Sequence, residues 1–232
     1  MKLELKKLGF IGTFMLSGLF LVSCLNNDDS GSMIQEESGF VVFINVSPDS
    51  NDVNFYANGT PVNMPALSYN EYYGYMYQST GATDYTARTG SSDSDTLNLN
   101  IELNRFYSIY SVNTPENLEL VAYQDNVPPI SNPSKTSLRF IQLSHNAPTM
   151  KVGIEDGAEN LGIFSFKQAS SFMEIDQVTN KKLFLLNAET NDTIFTKNIT
   201  LEGGTPYSVF SSGIYDSEDE DLDLDVNVIP FQ

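Results

Sequence analysis

Tryptophan is absent from the 232-residue chain, and histidine and cysteine occur once each. A single cysteine, Cys24, leaves no partner for a disulfide within the chain. Zinc prefers several His and Cys ligands and finds almost none here, so no metal site of that kind is expected. The sole histidine lies in Leu143-Ser144-His145-Asn146-Ala147-Pro148, after an expected strand and without a Gly-x-Ser-x-Gly elbow. It reads as a loop residue rather than the base of a hydrolytic triad. Basic residues are few, 12 against 30 acidic ones, for a formal net charge of −18. Nucleic-acid binding needs clustered Lys and Arg to neutralise phosphates, so no nucleic-acid partner is expected. What remains is rich in Tyr, Phe, Thr, Ser and Asn, a composition that suits β-strands outside the cytoplasm.

The amino end carries Lys2, Lys6 and Lys7, then an apolar run from Leu8 to Val22, then a small residue before Cys24. That layout predicts a secretory signal peptide over residues 1–23, removed in the mature protein. The run is somewhat short for a membrane span, and the polar tract Asn26 to Ser30 follows at once. Leu21-Val22-Ser23-Cys24 resembles the lipobox that directs lipid transfer to a cysteine thiol, although Val22 and Ser23 stand where Ala or Gly is more usual. Cys24 is therefore the expected lipid attachment, each buried methylene of its acyl chains contributing about 0.8 kcal/mol. Asp28 and Asp29 resemble an acidic export tag, which points to an outer-membrane lipoprotein displayed on the cell surface, with a periplasm-facing orientation as the alternative. Residues 24–38 are polar and Ser-rich and are expected to form a flexible tether.

The rest of the chain matches itself when shifted by 97 positions. Phe43-Ile44-Asn45-Val46-Ser47 falls over Phe140-Ile141-Gln142-Leu143-Ser144, Val53 and Phe55 over Met150 and Val152, and Tyr75-Met76 over Phe172-Met173. A slip of a few residues later aligns Tyr107-Ser108-Ile109-Tyr110 with Tyr207-Ser208-Val209-Phe210. Within each copy the apolar period is two, as in Leu97, Leu99, Ile101 and Leu103, and turn pairs such as Asn58-Gly59 and Gly203-Gly204 separate the runs. The expected fold is all-β: two tandem antiparallel, immunoglobulin-like β-sandwich modules over residues 39–126 and 137–232. Residues 127–136, with Pro128, Pro129 and Pro133, read as a stiff linker across which the modules should tilt.

The segment Phe43 to Asp49, the strand Val53 to Tyr56 with its Asn58-Gly59 turn, the Tyr69 to Tyr75 stretch, and the passage from Leu120 through Asp125 to Arg139-Phe140 together resemble the family known as domain of unknown function 4397. The resemblance covers nearly all of the mature chain. It implies repeated β-sandwich units behind lipoprotein signals in bacterial envelope proteins, and it brings no catalytic residues with it. The second copy departs most, with His145 where the first has Pro48 and Asn146 where it has Asp49.

Three features carry candidate chemistry. Tyr72, Tyr73 and Tyr77 have no aromatic counterpart in the second copy and are the candidate ligand contacts, since exposed tyrosines stack on sugar rings or pack in protein interfaces. Alternation places Tyr73, Tyr75 and Tyr77 on one face of their strand, with Tyr72 and Met76 on the other; one set is core. The acidic stretch Asp216, Glu218, Asp219, Glu220, Asp221, Asp223 and Asp225 offers carboxylates for calcium. It equally suits a terminal strand in which Asp221, Asp223 and Asp225 form the solvated face. Asp95-Thr96-Leu97 and Asp192-Thr193-Ile194 resemble an O-glycosylation acceptor and also suit a turn that starts a strand.

No pair of carboxylates is singled out for glycoside cleavage, and no catalytic residue or cofactor is expected. The sequence thus points to a membrane-anchored lipoprotein acting by binding or adhesion, whose partner is a glycan or an envelope protein. A carbohydrate-binding accessory of a nutrient uptake system is the alternative, and a carboxylate-based hydrolase the third reading.

Overall fold

A computed structural model describes residues 37–231 apart from Asn51, Ser91 and 157–159. The expected signal peptide, Cys24 and all but the last two residues of the expected tether lie outside the described residues. Those that are described form an all-β structure in which each copy of the repeat builds a sandwich of two sheets.

The first sandwich contains β1 (Ser38–Asn45), β2 (Val53–Ala57), β3 (Thr60–Pro61), β4 (Tyr72–Ser79), β5 (Gly81–Thr89), β6 (Ser92–Asp93), β7 (Leu97–Ile101), β8 (Phe106–Val112) and β9 (Glu119–Gln124). The second contains β10 (Lys135–Gln142), β11 (Met150–Ile154), β12 (Gly162–Phe164), β13 (Met173–Asp176), β14 (Val178–Asn187), β15 (Thr193–Leu201), β16 (Pro206–Ser212) and β17 (Asp225–Pro230). One sheet has the order β4-β1-β8-β9, and its counterpart the order β13-β10-β16-β17. The other sheets are built around β2 and β5 in the first sandwich and around β11 and β14 in the second. Local chemistry fixes the turns. Asn58 and Gly59 both have positive φ, the conformation that a two-residue hairpin between β2 and β3 demands.

Within the expected architecture one pairing in each of these two sheets is parallel: β1 beside β8, and β10 beside β16. The registers correspond, Phe40 facing Phe106 in the first and Ser137 facing Pro206 in the second.

Each sandwich has its own core. Val41, Phe43, Phe55, Tyr85, Ile101 and Ile109 anchor the first, and Leu138, Phe140, Val152, Leu183, Leu185 and Val209 the second. A third core joins Val42, Ile44, Val46, Tyr110 and Val112 from one sandwich to Ile141, Leu143 and Phe210 from the other. The sheets containing β1 and β10 therefore pack against each other as inner layers. This explains why Val41 to Ile44 and Leu138 to Ile141 are buried without a break, because alternate residues enter different cores.

The expected freedom of the modules to tilt is overturned by this buried seam. Tyr123 donates to the Lys167 carbonyl across it at 2.9 Å, Lys167 pairs with Glu119, and the Asn227 amide reaches Asn70 at 3.3 Å. In the proline-rich segment, Ser131 bonds the Glu174 carboxylate through both its amide and its hydroxyl. All three cores lie within the compact unit Glu36–Gln232.

The acidic stretch departs from expectation. Glu220–Leu222 is a turn of 3-10 helix capped by the Asp219 carboxylate, and the strand begins only at Asp225. Asp221 and Asp223 therefore do not form one face of a terminal strand.

Candidate functional site

Most hydroxyls and charges near the seam are spent on one another. Arg139, buried in β10, sets its guanidinium 2.6 Å from the Asp125 carboxylate, which is itself buried at the end of β9. It also donates to Ser208 at 2.8 Å and to Ser108 at 3.0 Å. Tyr75 and Ser108 both donate to the second Asp125 oxygen, at 2.6 and 2.7 Å. The Phe172 ring lies 4.9 Å from the guanidinium carbon. Burial pushes the Asp125 carboxyl upward, opposed by the facing guanidinium and the two hydroxyl donors. Burial, reinforced by the neighbouring Asp125 charge, pushes the Tyr75 hydroxyl well above its ordinary range. The closed network has no free nucleophile; its chemistry is that of a structural lock.

The tyrosines of β4 divide differently from simple alternation. Across the β1–β4 pair, Tyr72 faces Ile44, Tyr73 faces Phe43, Met76 faces Val41 and Tyr77 faces Phe40, which leaves Gly74 and Tyr75 together opposite Val42. That bulge resets the alternation. Tyr72, Tyr75 and Tyr77 share the seam face, while Tyr73 and Met76 lie on the side of the first core, the reverse of the expected grouping for Tyr72 and Tyr73. Tyr75 is half-buried; Tyr72, Tyr73 and Tyr77 are 48, 38 and 79% exposed.

Tyr77 heads an aromatic row that runs across three adjacent strands. It pairs with Phe40 of β1, whose parallel partner on β8 is Phe106. Ring centroids are 5.1 Å apart for Tyr77 and Phe40 and 4.5 Å for Phe40 and Phe106. The two phenylalanine rings lie within 10° of parallel, whereas Tyr77 is tilted 48° from Phe40. Phe106 continues inward to Tyr75, and Tyr75 to Phe231. Beside Phe106 a pocket of about 460 Å³ is lined by Asn104, Arg105, Asp125, Asn126, Val127 and Pro128. The second copy has Ser137, Pro206 and Glu174 at the positions of Phe40, Phe106 and Tyr77, and no such row. Sequence reasoning found Tyr77 but missed Phe40 and Phe106. Phe40 sits in a continuous apolar run that reads as core, and Phe106 is far along the chain, so only the parallel register brings them together.

The other candidates are engaged elsewhere. Asp225 is held by Lys197 through both oxygens, and the Asp219 and Asp223 carboxylates accept from backbone amides of Asp221 and Leu224. Among the described residues no three His, Cys, Asp or Glu side chains gather as a metal site. His145 is half-buried with no partner at Nδ1, and burial lowers its pKa. Thr96 and Thr193 stand exposed at the starts of β7 and β15. No described helix is long and apolar enough to cross a membrane.

Residues 39–153 match the profile of the family described as Domain of unknown function (DUF4397). No curated protein matches the chain. Among solved structures it is similar to a streptococcal virulence factor described as binding alpha-glucan, at 9% identity and a TM-score of 0.24, covering 78% of this chain and 95% of that one. A family 26 carbohydrate-binding module of Eubacterium rectale Amy13K in complex with maltoheptaose gives 11% identity and a TM-score of 0.25, covering 84% and 97%. The fimbrial anchor protein Mfa2 from Porphyromonas gingivalis gives 9% and 0.22, covering 83% and 97%. Likeness this low carries no argument about what the present chain binds.

Proposed function

Because residues 39–153 match the model of the DUF4397 family, whose name assigns no chemistry, we propose from the surface itself that this is a lipid-anchored envelope protein that acts by binding and not by catalysis. The observation that carries the reading is Tyr77, 79% exposed and braced in the row Tyr77-Phe40-Phe106 on a rigid double sandwich. Its phenol ring offers an apolar surface with a polar tip, the chemistry that stacks on a sugar ring. Asn104, Arg105 and Asn126 in the adjoining pocket supply amide and guanidinium donors for sugar hydroxyls. The ligand is accordingly a glycan. Cys24 carries the lipid, and the polar segment after it sets the sandwiches off an outer-membrane surface.

The experiment uses intact cells expressing the full chain, applied to a panel of immobilised glycans. Cells with the unaltered chain are retained on at least one glycan, and Tyr77→Ala weakens retention about tenfold, the size of one aromatic contact at roughly 0.5–1.5 kcal/mol. Tyr73→Ala, on the opposite face of β4, leaves it unchanged. Cys24→Ala moves the protein to the soluble fraction and abolishes retention. Failure to bind any glycan, or equal loss with Tyr73→Ala, sinks the glycan reading; unchanged fractionation of Cys24→Ala sinks the anchor.

A further inference from the structure

The seam contains a cavity that the aromatic row does not use. Between the edge strands β4 and β17 lies a space of about 140 Å³, walled by Val42, Ile44, Tyr75, Tyr110, Ile229 and Phe231. Ser108 and Ser208 also line it, but both hydroxyls are already engaged with Arg139. Tyr72, Gly74 and Pro230 complete the lining. Gly74 stands beside Tyr75 in the bulge opposite Val42, and a Cβ placed on it would meet no atom within 4 Å.

The two sandwiches are related across the seam so that a second space corresponds to this one. It is lined by Tyr123, Gln124, Arg139, Ala169, Ser171 and Phe172 among others. Arg139 there takes the place of Val42, and Ser171 that of Gly74. The Arg139 side is thus a wider, polar space of about 390 Å³ that carries a guanidinium, whereas the other is smaller, open and apolar.

We infer that the open side is a binding site for one small, uncharged, apolar molecule of about the size of benzene. An apolar protein cavity of about 150 Å³ stays dry and takes benzene or xenon. An oligosaccharide or a strand is too large for it. A carboxylate or ammonium group entering it would be buried without a partner, because the nearby hydroxyls and guanidinium are already committed. The site is separate from the Tyr77 surface, and its failure would leave the glycan reading standing.

The test titrates benzene, and then benzoate, into the compact unit Glu36–Gln232 by calorimetry. Benzene saturates a single site, and benzoate binds at least about a hundredfold more weakly, as the cost of burying an unpaired carboxylate requires. Gly74→Leu, at a backbone position open to any L-residue, fills the space and weakens benzene binding at least about tenfold while the unfolding transition is kept. Absence of saturable benzene binding overturns the inference, as does benzoate binding equal to that of benzene or full benzene binding by folded Gly74→Leu. Should Gly74→Leu fail to fold, the comparison of benzene with benzoate on the unaltered unit decides alone.

Discussion

Arg139 and Asp125 show how one residue pair makes a repeat unequal. Their counterparts in the other copy are Val42 and, when β9 is laid over β17, Phe231. A buried ion pair stabilises little relative to an apolar pair of similar volume, yet removal of one partner strands a buried charge. Arg139→Met should therefore cost about 3–5 kcal/mol, and adding Asp125→Leu to it should recover most of that loss. Urea unfolding of the single and double variants measures both quantities; a double variant no more stable than the single would show that the pair does more than neutralise itself. No local pattern in the sequence joins these two residues. Asp125 follows β9 and Arg139 lies in β10, on either side of a proline-rich segment, and they entered the sequence reading only as parts of a family resemblance. Tyr77 was legible because it is aromatic where its counterpart Glu174 is not, whereas its bracing by Phe40 and Phe106 depends on a parallel register that periodicity does not reveal.

Among the strands, β4 and β13 are counterparts that treat their open edges differently. β13 is four residues long and carries Glu174 and Asp176, charges of the kind that keep an edge from pairing with other chains; β4 is eight residues long and carries none. Period-two reasoning located β4, but the extra residue at Gly74 and Tyr75 reversed its faces, and a bulge leaves no mark in a short Tyr-rich segment. It also read a strand through Asp221 to Asp225, where Asp219 instead caps a 3-10 turn. The ion pair between Glu119 of β9 and Lys167 before β13 crosses the seam, and the ammonium holds the Glu119 carboxyl below its ordinary 4.5. A lowered carboxyl pKa contributes stability that is present above the unfolded value and is lost as pH falls through the folded one. Unfolding midpoints measured from pH 6 downward should consequently fall less steeply for Lys167→Ala than for the unaltered protein. Identical slopes would mean that solvent screens this half-exposed pair completely.

At the level of the whole molecule, the repeat was plainly legible, and the 97-residue shift maps β1 onto β10 and β2 onto β11 residue for residue. The third core was not, because proline-rich segments join both rigid and mobile pairs and sequence alone does not separate them. The signal that could have found it is the unbroken apolar run Phe40 to Ile44 in β1, which a strand with one wet face has no reason to keep. A fragment of residues 134–232 would expose Ile141, Leu143 and Phe210 and deprive Arg139 of Asp125. It should self-associate or unfold at a lower urea concentration than the unit Glu36–Gln232, as sedimentation and chemical denaturation will report. A monomeric fragment with the same midpoint would show that the seam adds nothing. The described chain enters at Glu37 directly into β1, which is hydrogen-bonded on one side to β4 and on the other to β8. Tyr77 is the direct cross-strand partner of Phe40, close to that entry point. Traction between a ligand held at Tyr77 and a membrane at the amino end would enter and leave the fold within a few residues of one end of the β1–β4 ladder, and most of the double sandwich would bear none of the load.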